Sequence, residues 1–158
     1  MKQLLHTVVK KKKINFNKNN YPKFKDKITH VIVDEQPKNL FETSKINELN
    51  NSLFRLNAAK RIEKQRNHAV SHLDERNSND WVIYSDSDEI PDLSKIELKK
   101  SKKKIVLFKQ KVFHYKFNLL LDSHDWFGSK ACKYKDLKSI TELRNVKTKK
   151  YGWWRIDT

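Results

Sequence analysis

The chain has 158 residues, 37% of them hydrophobic, and 35 Lys and Arg against 19 Asp and Glu give it a formal charge of +16. That length suits a single domain spanning 1–158 with a real core, and no apolar run approaches the about 18 residues that would span a bilayer. One cysteine, Cys132, excludes an internal disulfide and a multi-cysteine zinc site.

Residues 1–27 are basic and Asn-rich, with a run of lysines from Lys10 to Lys13, and read as solvated loop. Ile28 to Val33 is rich in β-branched residues and ends at Asp34-Glu35, which predicts a strand. Ser44 is a candidate N-cap for a helix reaching about Glu75, because Ile46, Leu49, Leu53 and Leu56 recur at steps of three and four; a second helical segment carries Arg66 to Leu73. Trp81 to Ser85 reads as a short buried strand, followed by a helix over 92–100 opened by Pro91-Asp92. From Lys104 to Asn118 the chain is rich in Ile, Val, Phe and Tyr. Phe113, Tyr115 and Phe117 alternate with His114 and Lys116, the mark of a strand with one buried face. Residues 122–132 read as a loop entering another strand, 136–144 as a helix, and 151–157 as an aromatic end. Strands alternating with helices predict an α/β sandwich.

The densest chemistry lies where the strand from Trp81 ends. Asp86, Asp88 and Glu89 crowd together before Pro91, and carboxylates this close repel one another unless a cation joins them. One or two carboxylates plus substrate phosphates suit Mg²⁺ or Mn²⁺, and α/β sheets hold ligands at strand ends. The competing reading is an Asx-type turn with solvated carboxylates. An EF-hand is excluded because no Gly lies between Met1 and Gly128. His68 and His72 stand at i and i+4 with no third ligand in view.

Ser85-Asp86-Ser87-Asp88-Glu89-Ile90-Pro91, preceded by Gln65-Arg66-Asn67, resembles glycosyltransferase family 17. Weaker pieces agree in order: Ile14 to Asn17, Lys23 to Ile28, Val31 to Asp34, Phe113 to Phe117, Trp126-Phe127-Gly128 and Leu143-Arg144. The resemblance implies a GT-A-like, Rossmann-type α/β sandwich. It also implies transfer of a sugar, N-acetylglucosamine among the candidates, from a nucleotide-sugar donor such as a UDP-sugar to a glycan hydroxyl with inversion. On it, Asp86 and Asp88 hold Mn²⁺ or Mg²⁺, while Arg66, Asn67, Asp86 and Glu89 serve the nucleotide sugar. Trp126 and Gly128 face the acceptor, and either Asp125 or Asp122 is the general base. Members of that family begin with a further strand and helix before the equivalent of residue 6 and continue past the equivalent of Thr158. The expectation is therefore an incomplete sandwich, its first strand and C-terminal part missing, with a homo-oligomer or companion chain supplying the rest.

The alternatives are an inactive transferase fragment and a non-catalytic basic module on nucleic acid or an anionic surface. Only six of the 35 basic residues are Arg, the side chain that reads phosphates and bases bidentately, so nucleic acid is not the expected partner. With no signal-peptide pattern at the start and no membrane span, the expected location is cytoplasmic.

Overall fold

The computed structural model describes residues 16–43, 48–73, 77–123, 125–147 and 156–157. The lysine run, the Ser44 cap and the aromatic residues 151–155 lie outside them. The chain divides into two compact units, one up to Ile32 and one from Val33 onward. In the first, two 3₁₀ turns, Lys18–Asn20 and Pro22–Lys27, follow each other. Asn17 opens the first by accepting the Asn19 N–H at 3.0 Å, and Pro22 starts the second, where a missing N–H costs nothing. Residues 28–33, expected as a strand, pair with nothing among the described residues. Branched side chains favour an extended backbone, but a strand exists only through a ladder partner.

The second unit begins with a segment clasped to helix α1 (Glu48–Val70). No Gly or Pro interrupts that helix, which runs unbroken through Arg66 rather than restarting there. Of the apolar face expected to dock it, Leu56 is exposed and Leu53 half-buried, and Phe54 and Ile62 elsewhere on the helix are exposed as well. Polar side chains dock it instead. Buried Asn57 accepts the Phe41 N–H at 2.8 Å and donates to the Phe41 carbonyl at 2.9 Å. Arg61 reaches Gln36 at 2.7 Å, Lys64 reaches Glu35 at 3.2 Å, and the Lys60 ammonium donates to the Asn39 carbonyl while lying over the Phe41 ring.

The sheet is built from β1 (Trp81–Tyr84), β2 (Ile105–Leu107), β5 (Lys130–Lys133) and β6 (Ile156–Asp157), in the order β1-β5-β2-β6. A separate hairpin joins β3 (Phe113–His114) to β4 (Leu119–Leu120). Strand β5 lies antiparallel between β1 and β2, so its residues are covered on both sides. The row Ile83, Ala131, Val106 crosses one face and packs with Trp81, Phe108, Ile96 and Leu98. On the other face Lys130 reaches toward α2 (Ile140–Asn145), which packs on β1 and β5 and is itself packed by α1. Cys132 is buried in β5, and desolvation, then the Asp136 charge, pushes its thiol pKa up to about 11.

The class is mixed α/β, as expected. The Rossmann-type parallel sheet is not: three of the four strands are joined by antiparallel pairing, and only the short β2–β6 contact is parallel. A parallel pair needs a crossover, commonly a helix, and the segment between β1 and β2 forms none. In place of a helix over 92–100 there are two single 3₁₀ turns, Leu93–Lys95 and Leu98–Lys100. Ile96 and Leu98 both pack on the core, and side chains two apart share a face only in extended chain, which Ile96 adopts. The long strand over 104–118 breaks after Leu107 because its partner changes, from β5 to the Gln110–Trp126 bridge and then to its own hairpin. Helix α2 starts later than expected, at an N-cap: the Glu142 N–H donates to the Ser139 hydroxyl at 3.0 Å. Among the described residues no helix is long and apolar enough to cross a membrane.

Replacing Asn57 with Leu keeps the branched shape and heavy-atom count of the side chain and removes both hydrogen bonds to Phe41. Unfolding in urea should show a loss of about 2 kcal/mol. An unchanged midpoint would mean that the clasp contributes nothing to stability.

Candidate functional site

At the end of β1 the backbone makes a tight turn. The Glu89 N–H donates to the Asp86 carbonyl at 3.0 Å, and the Asp86 N–H donates back to Glu89 Oε2 at 3.1 Å. Ser85 ties this corner to the strand beside it by donating to the Ser129 hydroxyl at 2.7 Å. The turn separates its carboxylates: Asp86 and Glu89 point into the protein, while Asp88 is exposed.

Asp86 receives five hydrogen bonds from three side chains. Arg66 Nη2, from α1, reaches both oxygens at 3.1 and 3.2 Å. Arg144, from α2, reaches Oδ2 through Nε at 3.3 Å and Nη2 at 3.1 Å, and the Tyr84 hydroxyl donates to Oδ1. Glu89, 9% exposed, accepts from Arg144 Nη2 and from the Trp126 indole N–H, both at 3.1 Å. The guanidinium groups also lie 5.6 Å from aromatic rings, Arg66 from Tyr84 and Arg144 from Trp126. The charges therefore alternate: two cations interleaved with two anions.

Titration follows from this packing. Burial acts most strongly on Asp86 and raises its pKa. The hydrogen bonds from Tyr84 and Arg144 and the charges of Arg66 and Arg144 together outweigh it, so the carboxyl sits below its usual value of 3.8. Tyr84 is pushed up to about 12 by burial and then by Asp86. Behind the cluster, buried Lys130 donates to the carbonyls of Arg144 and, at 2.8 Å, Val146, fixing the end of α2 that presents Arg144. Burial, then the Arg144 charge, lowers its pKa to about 8.

The acidic turn borders an open cleft of about 1000 Å³. Asp88, Glu89 and Arg144 line it together with Lys109 and Lys111, and Phe113, Tyr115, Phe117 and Trp126 supply aromatic surface. Asp86 also opens onto it, whereas Arg66 and Asn67 do not. Asn67 accepts the Thr141 N–H at 3.1 Å and so joins α1 to the first turn of α2. Gly128 is buried beneath the Glu89–Trp126 contact, where a Cβ would collide with both the Glu89 carboxylate and the indole nitrogen. Asp125 is exposed and pairs with Lys109 at 2.8 Å; Asp122 is exposed in the turn after β4. Neither lines the cleft.

Sequence reasoning missed Tyr84, Lys130 and Arg144 as members of the cluster. The available signal for Arg144 was its type: in a chain that uses Lys almost everywhere, an Arg marks a place where bidentate geometry matters.

A divalent ion fits this arrangement at only one carboxylate. Asp86 offers about four lone-pair directions, all claimed by donors, and a metal there would face two guanidinium groups. Among the described residues no three His, Cys, Asp or Glu side chains converge to hold an ion. Asp88, with no hydrogen bond or ion pair among the described residues, is the free carboxylate of the turn. One carboxylate is a sufficient protein ligand for Mg²⁺ when substrate phosphates and water complete the shell. Compared with protein-family models, curated proteins and solved structures, the chain matches none.

Asp86→Asn keeps the shape of the side chain and leaves two guanidinium groups without their shared anion. Stability at neutral pH should fall by about 2 kcal/mol, the figure for a broken buried pair reduced for solvent access. The folded carboxyl binds protons less readily than the unfolded one, so wild-type stability is lost as pH falls below 3.8 toward the folded value. Urea midpoints of wild type and variant should therefore converge between about pH 5 and about pH 2; a gap independent of pH would contradict the ionised cluster.

Proposed function

We propose that the cleft binds a nucleotide-sugar donor and that the protein is a metal-dependent glycosyltransferase of the GT-A type, transferring a sugar to a glycan hydroxyl with inversion. The observation that carries this reading is the division of labour in the acidic turn. Two carboxylates are neutralised internally, and the third, Asp88, faces a cleft of ligand size.

In this reading Asp88 holds the divalent ion that arrives with the donor. Such an ion supplies neutralisation of the charge growing on the departing diphosphate. Asp86 and Glu89 act through the arginines, fixing the turn so that Asp88 is presented without searching. Lys111, exposed and without an ion-pair partner among the described residues, lines the same cleft and offers a positive charge to the phosphates. Inversion calls for a base at the acceptor hydroxyl. Asp125 is the nearer candidate, because its partner Lys109 and its neighbour Trp126 both line the cleft; Asp122 is the other. N-acetylglucosamine is the sugar suggested by the family resemblance.

Thermal-shift titration tests the reading. UDP or GDP at 100 times its Kd stabilises by about 2.7 kcal/mol, which for a chain of this size raises Tm by roughly 5–10 °C. The shift should require Mn²⁺ or Mg²⁺ and vanish in Asp88→Asn, whose own Tm should stay near wild type because Asp88 is exposed and has no ion-pair partner among the described residues. A nucleotide shift that survives both chelation and the substitution counts against the metal role. Steep loss of DNA binding between low and moderate salt, with no nucleotide effect, would favour the basic-module reading.

A further inference from the structure

The β3–β4 hairpin is the part of the chain that departs furthest from its sequence pattern. Alternation over 113–117 predicts a buried face, yet Tyr115 is 86% and Phe117 79% exposed, and Phe113 is half exposed. Both tip aromatics stand in the left-handed region, Tyr115 at φ 55° and Phe117 at φ 61°. Bulky side chains rarely adopt that conformation, which Gly takes freely and Asn tolerates. Folding stability alone would favour Gly or Asn at these positions and polar residues around them. Backbone strain of this kind gathers where a ligand is held.

All three rings line the cleft. The same cleft is lined by Asp88, Glu89 and Asp92, with Ile90 at 85% exposure. Its lining therefore joins aromatic rings and carboxylates, with Lys109, Lys111 and Arg144 beside them. A pyranose ring matches both: its axial C–H face packs on the negative faces of aromatic rings, and its hydroxyl edge donates to carboxylates.

We infer that the β3–β4 hairpin is a carbohydrate platform, on which Tyr115 and Phe117, flanked by Phe113, seat the ring of a neutral acceptor sugar in the cleft. The inference rests on the transferase reading for the role of that sugar as acceptor; the contact itself is independent of it.

Saturation-transfer NMR on the full chain tests the contact, with N,N′-diacetylchitobiose and methyl β-glucoside as probes. Irradiating aromatic resonances should saturate the ring C–H protons of at least one probe. In Tyr115→Gly/Phe117→Gly, binding should weaken about tenfold, the scale of two lost aromatic contacts, while Tm holds or rises because Gly relieves both strained positions. The Mg²⁺-dependent UDP shift should be unchanged. Should the double variant fold poorly, Tyr115→Asn, which tolerates the same φ, reads the same loss.

No transfer to either probe in the wild type overturns the platform, as does undiminished transfer in the variants. Loss of the UDP shift in a folded variant also overturns it, assigning the rings to the nucleotide base. Loss of binding to phosphatidylserine vesicles, with sugar contact intact, assigns them to a lipid surface instead. Failure of UDP binding in wild type with sugar contact intact removes the transferase reading and leaves the platform standing.

Discussion

Asp86 is the point where the second unit is tied together. Its carboxylate is shared by Arg66 from α1 and Arg144 from α2, and its backbone closes the turn that follows β1. Arg144 extends the tie to Glu89, and Glu89 to Trp126 on the chain leading into β5. Four segments distant in sequence thus meet through alternating charges. A cluster of this kind is not evidence of great stability, since desolvation offsets much of the attraction. Its value is positional: each guanidinium fork accepts its anions in few geometries.

The neighbours of the cluster make sense only in its terms. Gly128 lies where any side chain would separate Glu89 from Trp126. Lys130 occupies the middle of the sheet with its ammonium on the end of α2, so the helix that carries Arg144 is held by the strand beside β1. Ser85, Ser129 and Gln110 form a polar chain along the same corner, with the Ser129 N–H donating to Gln110 at 3.0 Å. Trp126 is engaged at its nitrogen and over its ring, so it contributes a wall to the cleft whose position is fixed.

Local pattern revealed what local physics decides. The strand ending at Tyr84 and the body of α1 were both legible from spacing and residue type. So was the importance of the acidic turn, since three carboxylates in four residues need explaining. What they pair with was not legible, because Arg144 lies 58 residues from Asp86 and no periodicity connects them. Fold topology failed for a related reason. Alternating strand and helix signals suggested an α/β sandwich, and the family resemblance a Rossmann-type sheet, but whether β5 inserts between β1 and β2 is a tertiary choice invisible in either strand. The segment 104–118 looked like one strand because it is rich in Ile, Val, Phe and Tyr along its length; its pairing partners change on the way.

The burial of Cys132 has an experimental use. Thiols react as thiolates, and this one is both enclosed between two flanking strands and held in its protonated form at neutral pH. It is also the sole sulfhydryl in the chain. Alkylation kinetics thus give a clock, free of labels or engineering, for how often the centre of the sheet comes apart.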